Sequence, residues 1–182
     1  MTTHATGADP PRSMLALVRG IDAVNGRVGR WSAWLALLLV LVVTYDVVMR
    51  YLFNITYVFI QELEWHLFAV IFLITAGYAH LLDSHVRVDI FYARFPPRIR
   101  AWVDFLGGIL FLLPTVVLLI WTSIPFVRAS FADLEGSPDP GGIPGRFVLK
   151  AVIPFAFFLL GIQGISEIIK NFYRVRSKEP PR

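Results

Sequence analysis

The chain has 182 residues, of which 56% are apolar and only 16% charged; soluble domains carry about a quarter charged residues, and here the charges crowd between long uncharged runs, which is the pattern of a membrane protein. It has no cysteine, which excludes disulfides, thiol catalysis and Cys-ligated metals. The net charge of +4 sits in short basic clusters beside apolar runs, favouring an anionic lipid bilayer over nucleic acid as partner.

A hydrocarbon core about 30 Å thick takes roughly 20 apolar residues per helix. The chain therefore has room for four spans with short joints and no separate soluble domain. The expected fold is an all-α membrane protein: four transmembrane helices plus an N-terminal interfacial amphipathic helix.

Residues 1–12 are polar, with a Pro pair. The first long apolar run begins near Trp31, too late and too long for a cleavable signal peptide, so no cleavage is expected. Within the leader, 1–30, Met14, Leu17, Val18, Ile21, Val24 and Val28 recur at helical spacing, and Arg12, Arg19, Arg27 and Arg30 add positive charge. That pattern predicts a helix lying in the membrane interface with its apolar face down, although Gly20, Gly26 and Gly29 weaken it.

The four-helix transmembrane domain covers 31–169. Span one is about 31–51, with Trp31 and Trp34 at one interface and Tyr51 at the other. Asp46 and Arg50, four residues apart, share a helix face and pair more cheaply than a lone buried charge. Span two is about 61–81 and opens with Glu62, Glu64, Trp65 and His66; acids suit the positive end of a helix. An ion pair between these glutamates and Arg50 is expected, rather than a proton or cation relay. The joint at 82–100 carries four Arg, and Pro96-Pro97 within it breaks the chain before span three. There Val86, Val88, Ile90, Phe91 and Phe95 are expected to dip into the interface while Arg87 and Arg94 stay in water. Span three is about 101–127; Gly107 and Gly108 permit close helix contact, and Pro114 should kink it. The loop 128–146 holds three Pro and four Gly. Span four, about 147–169, contains Pro154, and 170–182 is a basic tail.

Lysine and arginine set the orientation. Residues 1–30, 82–100 and 170–182 hold four, four and five of the 17, leaving Arg50, Arg128, Arg146 and Lys150 on the other side. Cytoplasmic joints collect these residues, so both termini are expected in the cytoplasm and the 128–146 loop outside.

His80, Asp83, His85 and Asp89 are ligand-type side chains, but their spacing fits no zinc pattern; they read as surface groups pairing with nearby Arg. No catalytic triad, phosphate loop or cofactor motif is present, so no enzyme activity, metal or cofactor is expected. A heme-binding subunit needs facing His pairs, and His66 and His80 lie near opposite ends of one span.

Several stretches taken together resemble the small integral-membrane, DctQ-like subunit of tripartite ATP-independent periplasmic (TRAP) transporters. They are Arg50 closing span one, Glu62 or Glu64 opening span two, "TAGYAH" at 75–80, "HVRVDIF" at 85–91, "RFPPRIRAWVDF" entering span three, and the stretch from "SPDPGGIPGR" through span four. The resemblance implies a multi-pass protein of a bacterial inner membrane. It would be a fixed scaffold beside a large multi-span subunit that carries a small carboxylate-type solute with sodium, in a system whose periplasmic solute-binding protein captures that solute. On this reading His85, Arg87 and Asp89 hold the cytoplasmic joint against a partner or span ends, and the loop acids Asp133, Glu135 and Asp139 meet the solute-binding protein. The alternative is a membrane anchor or assembly subunit of another heteromeric complex, such as a redox enzyme.

Overall fold

A computed structural model describes residues 10–83, 92 and 94–176. Helix α1 is Arg12–Leu52, α2 is Val58–Leu81, α3 is Pro97–Ala132 and α4 is Arg146–Arg176. All four are long and apolar enough to cross a membrane. The protein is thus all-α with four spanning helices, as its hydropathy implies.

Every helix extends beyond the apolar run that revealed it, because backbone hydrogen bonding continues where hydropathy falls. The largest extension is in α1, whose 41 residues run unbroken through Arg30 and Trp31. Leader and first span are one element. At 1.5 Å per residue it is about 60 Å long, roughly twice the hydrocarbon thickness.

Helix α3 starts where the Pro pair dictates. Pro97 occupies the first turn, where a missing N–H costs nothing, and the N–H groups of Ile99 and Arg100 both bond to the Pro96 carbonyl. Pro114 does perturb the helix: Gly108–Leu112 forms a π-helical turn just before it, and the Leu113 N–H reaches back five residues to the Gly108 carbonyl. The wider turn makes room for a ring that would otherwise press on the carbonyl four residues earlier. At the far end, Leu134 N–H bonds to Phe131 O and Glu135 N–H to Ser130 O. This is a Schellman closure, but with Leu134 at φ 44° where glycine is usual.

Helix α4 packs against the three others, with α1 and α2 on one side and α3 on the other. Close approach is made at small residues. A Cβ at Gly29 of α1 would overlap the Tyr78 ring of α2, and one at Gly108 of α3 would lie 2.6 Å from Ile168 Cγ1 of α4. Gly107, by contrast, faces open space. Two of the three glycines that weaken α1 as an isolated helix, Gly26 and Gly29, are therefore where α2 docks, whereas Gly20 meets nothing among the described residues. The side of α1 turned into the bundle is Val18, Asn25, Gly26, Gly29 and Ser32, whereas Met14, Leu17 and Val24 are exposed. The largest fully buried side chains are polar: Gln163, Asn25 and Ser166.

Candidate functional site

Two clusters of polar side chains tie the helices together, one at each end of the bundle. The first is built on Glu62, in the second turn of α2. Glu62 is 4% exposed. Its Oε1 accepts a hydrogen bond from Ser137 Oγ at 2.5 Å and one from Arg146 Nη2 at 3.2 Å, while Oε2 accepts the Ile143 N–H at 2.6 Å. Three donors from the α3–α4 loop and the start of α4 thus converge on one carboxylate, which is what a buried anion requires. The loop is shaped to deliver them. Gly141 and Gly145 sit at φ 81° and 87°, a region that side chains disfavour. At Gly142 a Cβ would come within 2.7 Å of Glu62 Oε2. Backbone bonds from Ser137 N to Ile143 O and from Arg146 N to Glu135 O close the loop on itself. The Arg146 guanidinium also lies 5.4 Å over the Trp65 ring, a cation–π contact.

Beside this clasp, Lys150 pairs with Glu135 and sits 4.1 Å over the Phe126 ring. The hydrogen bond from the Lys150 ammonium holds the Glu135 carboxyl below the usual carboxylate range. Asp133 and Asp139 are exposed on the same loop.

The expected pairing of Glu62 with Arg50 is not what forms. Arg50 bonds Asp46 on its own helix, as their spacing implies, and Glu62 takes Arg146, 84 positions along the chain. The two glutamates of "QELEW" also part company. Glu64, two residues on, lies within electrostatic reach of the Asp46–Arg50 pair, and its Oε1 is shut from water with no hydrogen-bond donor among the described residues. His85, Arg87 and Asp89 lie outside the described residues, as do Val86, Val88, Ile90 and Phe91.

The second cluster joins α1 to α4 and was not anticipated. Asn25 and Gln163 are both 0% exposed, and Asn25 Nδ2 donates to Gln163 Oε1 at 3.0 Å. Gln163 Nε2 donates to Asp22 Oδ1 at 2.9 Å, and Ser166 Oγ to the same oxygen at 2.8 Å. Lys170 closes the group with ion pairs to Asp22 at 2.8 Å and to Glu167 at 2.7 Å. Asn25 also presses on α2, where a Cβ at Gly77 would collide with its side chain. The signal that could have found this cluster is Asp22 and Asn25, three apart on the leader, and Gln163 and Ser166, three apart in the apolar fourth span: two i,i+3 polar pairs that need partners.

Chemically, both clusters hold segments of the chain against one another. A sequence profile described as "Tripartite ATP-independent periplasmic transporters, DctQ component" matches residues 21–174, a stretch that takes in both clusters and nearly all of the four helices. No curated protein matches the chain.

Proposed function

We propose a function from one premise: this chain belongs to the DctQ family of tripartite ATP-independent periplasmic transporter components. It is a small membrane-spanning subunit of such a transporter. Our reading is that it serves as the fixed scaffold of a secondary, sodium-coupled importer of a small carboxylate-type solute, and that it sits in a bacterial inner membrane with both termini in the cytoplasm. Its partners are a large multi-span subunit that carries the solute and a periplasmic solute-binding protein. The residues before Trp31 continue α1 beyond its apolar run and are tied to α4 through Asp22 and Asn25.

The observation that carries the scaffold reading is the cross-tying of α4. It touches every other helix, and a fully buried amide pair fastens it to α1. Helices joined in that way move as one body, which is what a moving neighbour needs to push against. The clasp gives the outer loop a fixed shape, so its exposed Asp133 and Asp139 form a defined acidic rim for the binding protein.

The experiment is purification of the tagged chain from its native membrane in mild detergent, with every co-purifying protein identified by mass. A large polytopic chain should accompany it, and deletion of this chain should abolish uptake that depends on the binding protein. Recovery of the chain alone, or with a redox enzyme, would contradict the reading.

A further inference from the structure

Between the first turns of α3 and the last turns of α4 lies a cleft of about 340 Å³, lined by Arg98, Trp102, Phe105, Phe172, Val175 and Arg176. Its order along the two helices is the point. On α3, Arg98 comes first, with Trp102 one turn and Phe105 two turns further into the bundle. On α4, which ends here, Phe172 comes one turn before Arg176. Both guanidinium groups therefore stand at the mouth and the aromatic rings lie deeper. The rings form a continuous wall: Trp102 meets Phe105 edge-on at 5.9 Å, and Phe105 meets Phe172 across the helix pair at 5.8 Å. Trp102 and Phe172 remain 45% and 43% exposed. Among the described residues lining the cleft there is no carboxylate.

We propose that this cleft binds one anionic phospholipid, with the headgroup phosphate at Arg98 and Arg176 and an acyl chain along Trp102, Phe105 and Phe172. Guanidinium matches phosphate in charge and in planar donor geometry. An apolar wall directly below two cations fits a molecule with an anionic head and a hydrocarbon tail. A net-neutral lipid fits poorly, because its ammonium group would meet two guanidinium groups and, among the described residues lining the cleft, no acid. The cleft opens at the ends of two spanning helices, so it stands at headgroup depth whichever way the protein is oriented. The site is independent of the transporter reading.

The test is native mass spectrometry of the full-length purified chain, titrated with phosphatidylglycerol and with phosphatidylcholine of identical acyl chains. One phosphatidylglycerol should bind at least about tenfold more tightly than phosphatidylcholine, and the double variant Arg98→Gln/Arg176→Gln should lose about thirtyfold, as two surface cations facing an anionic lipid imply. Arg98→Lys/Arg176→Lys should retain most of the binding. Trp102→Ala keeps both charges and removes part of the wall, and should cost about tenfold; circular dichroism confirms the helix content of each variant. Arg27→Gln/Arg30→Gln removes the same charge from α1 and should leave the tight site intact. Equal binding of the two lipids, equal loss in the α1 control, unchanged binding in the Arg98/Arg176 Gln pair or in Trp102→Ala, or displacement of the lipid by glycerol phosphate at equal concentration would each overturn the proposal.

Discussion

The two polar clusters solve one problem in opposite ways. In the loop cluster the buried charge is one carboxylate, Glu62, and the chain brings it three donors from a segment 75 to 84 positions away. At the other end the fully buried groups are neutral carboxamides, Asn25 and Gln163, while the charged members, Asp22 and Lys170, keep 27% and 22% of their side chains exposed. The difference follows from what each cluster holds. A loop has spare backbone N–H groups and can wrap an anion, so a charge there stays fully bonded. Two helices have spent their N–H groups on themselves and offer only side-chain donors. A pair of neutral amides is the cheaper polar contact at full burial, and charge is pushed to the rim of the cluster.

That contrast can be broken at several points. The largest effect is expected at Gly29, where the Tyr78 ring leaves no room for a Cβ. Gly29→Val should separate α1 from α2 and destabilise the fold by about 3 kcal/mol, read from unfolding of the purified protein in a denaturing detergent. Gln163→Ala takes the nearest acceptor from the buried Asn25 amide, leaving it the longer contacts to the Leu159 and Ile21 carbonyls at 3.4 and 3.5 Å, and should cost about 2 kcal/mol, whereas Asn25→Leu combined with Gln163→Leu removes both partners and should recover most of the loss. Equal losses in the single and double variants would show that the amides matter for shape and not for pairing. At the other cluster, Glu62→Gln puts an amide among three donors. Amide hydrogen exchange at Ile143 and Gly142 should accelerate about tenfold, while exchange in α1 and α4 near Asn25 and Gln163 stays as it was. Leu134→Gly relieves a left-handed leucine and should stabilise the protein by about 1 kcal/mol, seen as a higher melting temperature.

The smallest effect is with pH. Glu135 titrates below the usual carboxylate range because Lys150 favours its charged form. Its contribution is fully present above that range and is lost as pH falls through the lowered value. Protection factors of the loop amides, which remove the intrinsic pH dependence of exchange, should therefore be flat from neutral pH down to the usual carboxylate range and fall only below it.

The sequence made some of this visible and hid the rest for physical reasons. Four spans were legible because hydrocarbon demands long apolar runs, and a chain break at Pro96-Pro97 was legible too, although the helix resumes at Pro97, four residues before the apolar run expected from about 101. The pairing of Asp46 with Arg50 was legible from spacing, since one helix carries both. The partner of Glu62 was not, because spacing says nothing about a contact made across a folded loop, and Arg50 was the nearer cation. The unbroken course of α1 escaped because hydropathy records where lipid begins and not where hydrogen bonding ends. Asn25 and Gln163 escaped because each, taken alone, is an ordinary polar residue. Glycine misled for a related reason: Gly26 and Gly29 count against an isolated helix and in favour of a docked one.

The central claim is that this subunit stays rigid while its partner moves, and a reversible lock between α1 and α4 tests it most directly. Asp22 and Ser166 have side-chain oxygens 2.8 Å apart, and the chain has no cysteine of its own. Asp22→Cys combined with Ser166→Cys can therefore be oxidised to a single cross-link in the reconstituted transporter, with the reduced form of the same protein as its reference. A fixed scaffold predicts the same rate of solute uptake before and after oxidation. Uptake that stops on oxidation and returns on reduction would show that α1 and α4 must separate during transport, and would contradict the account.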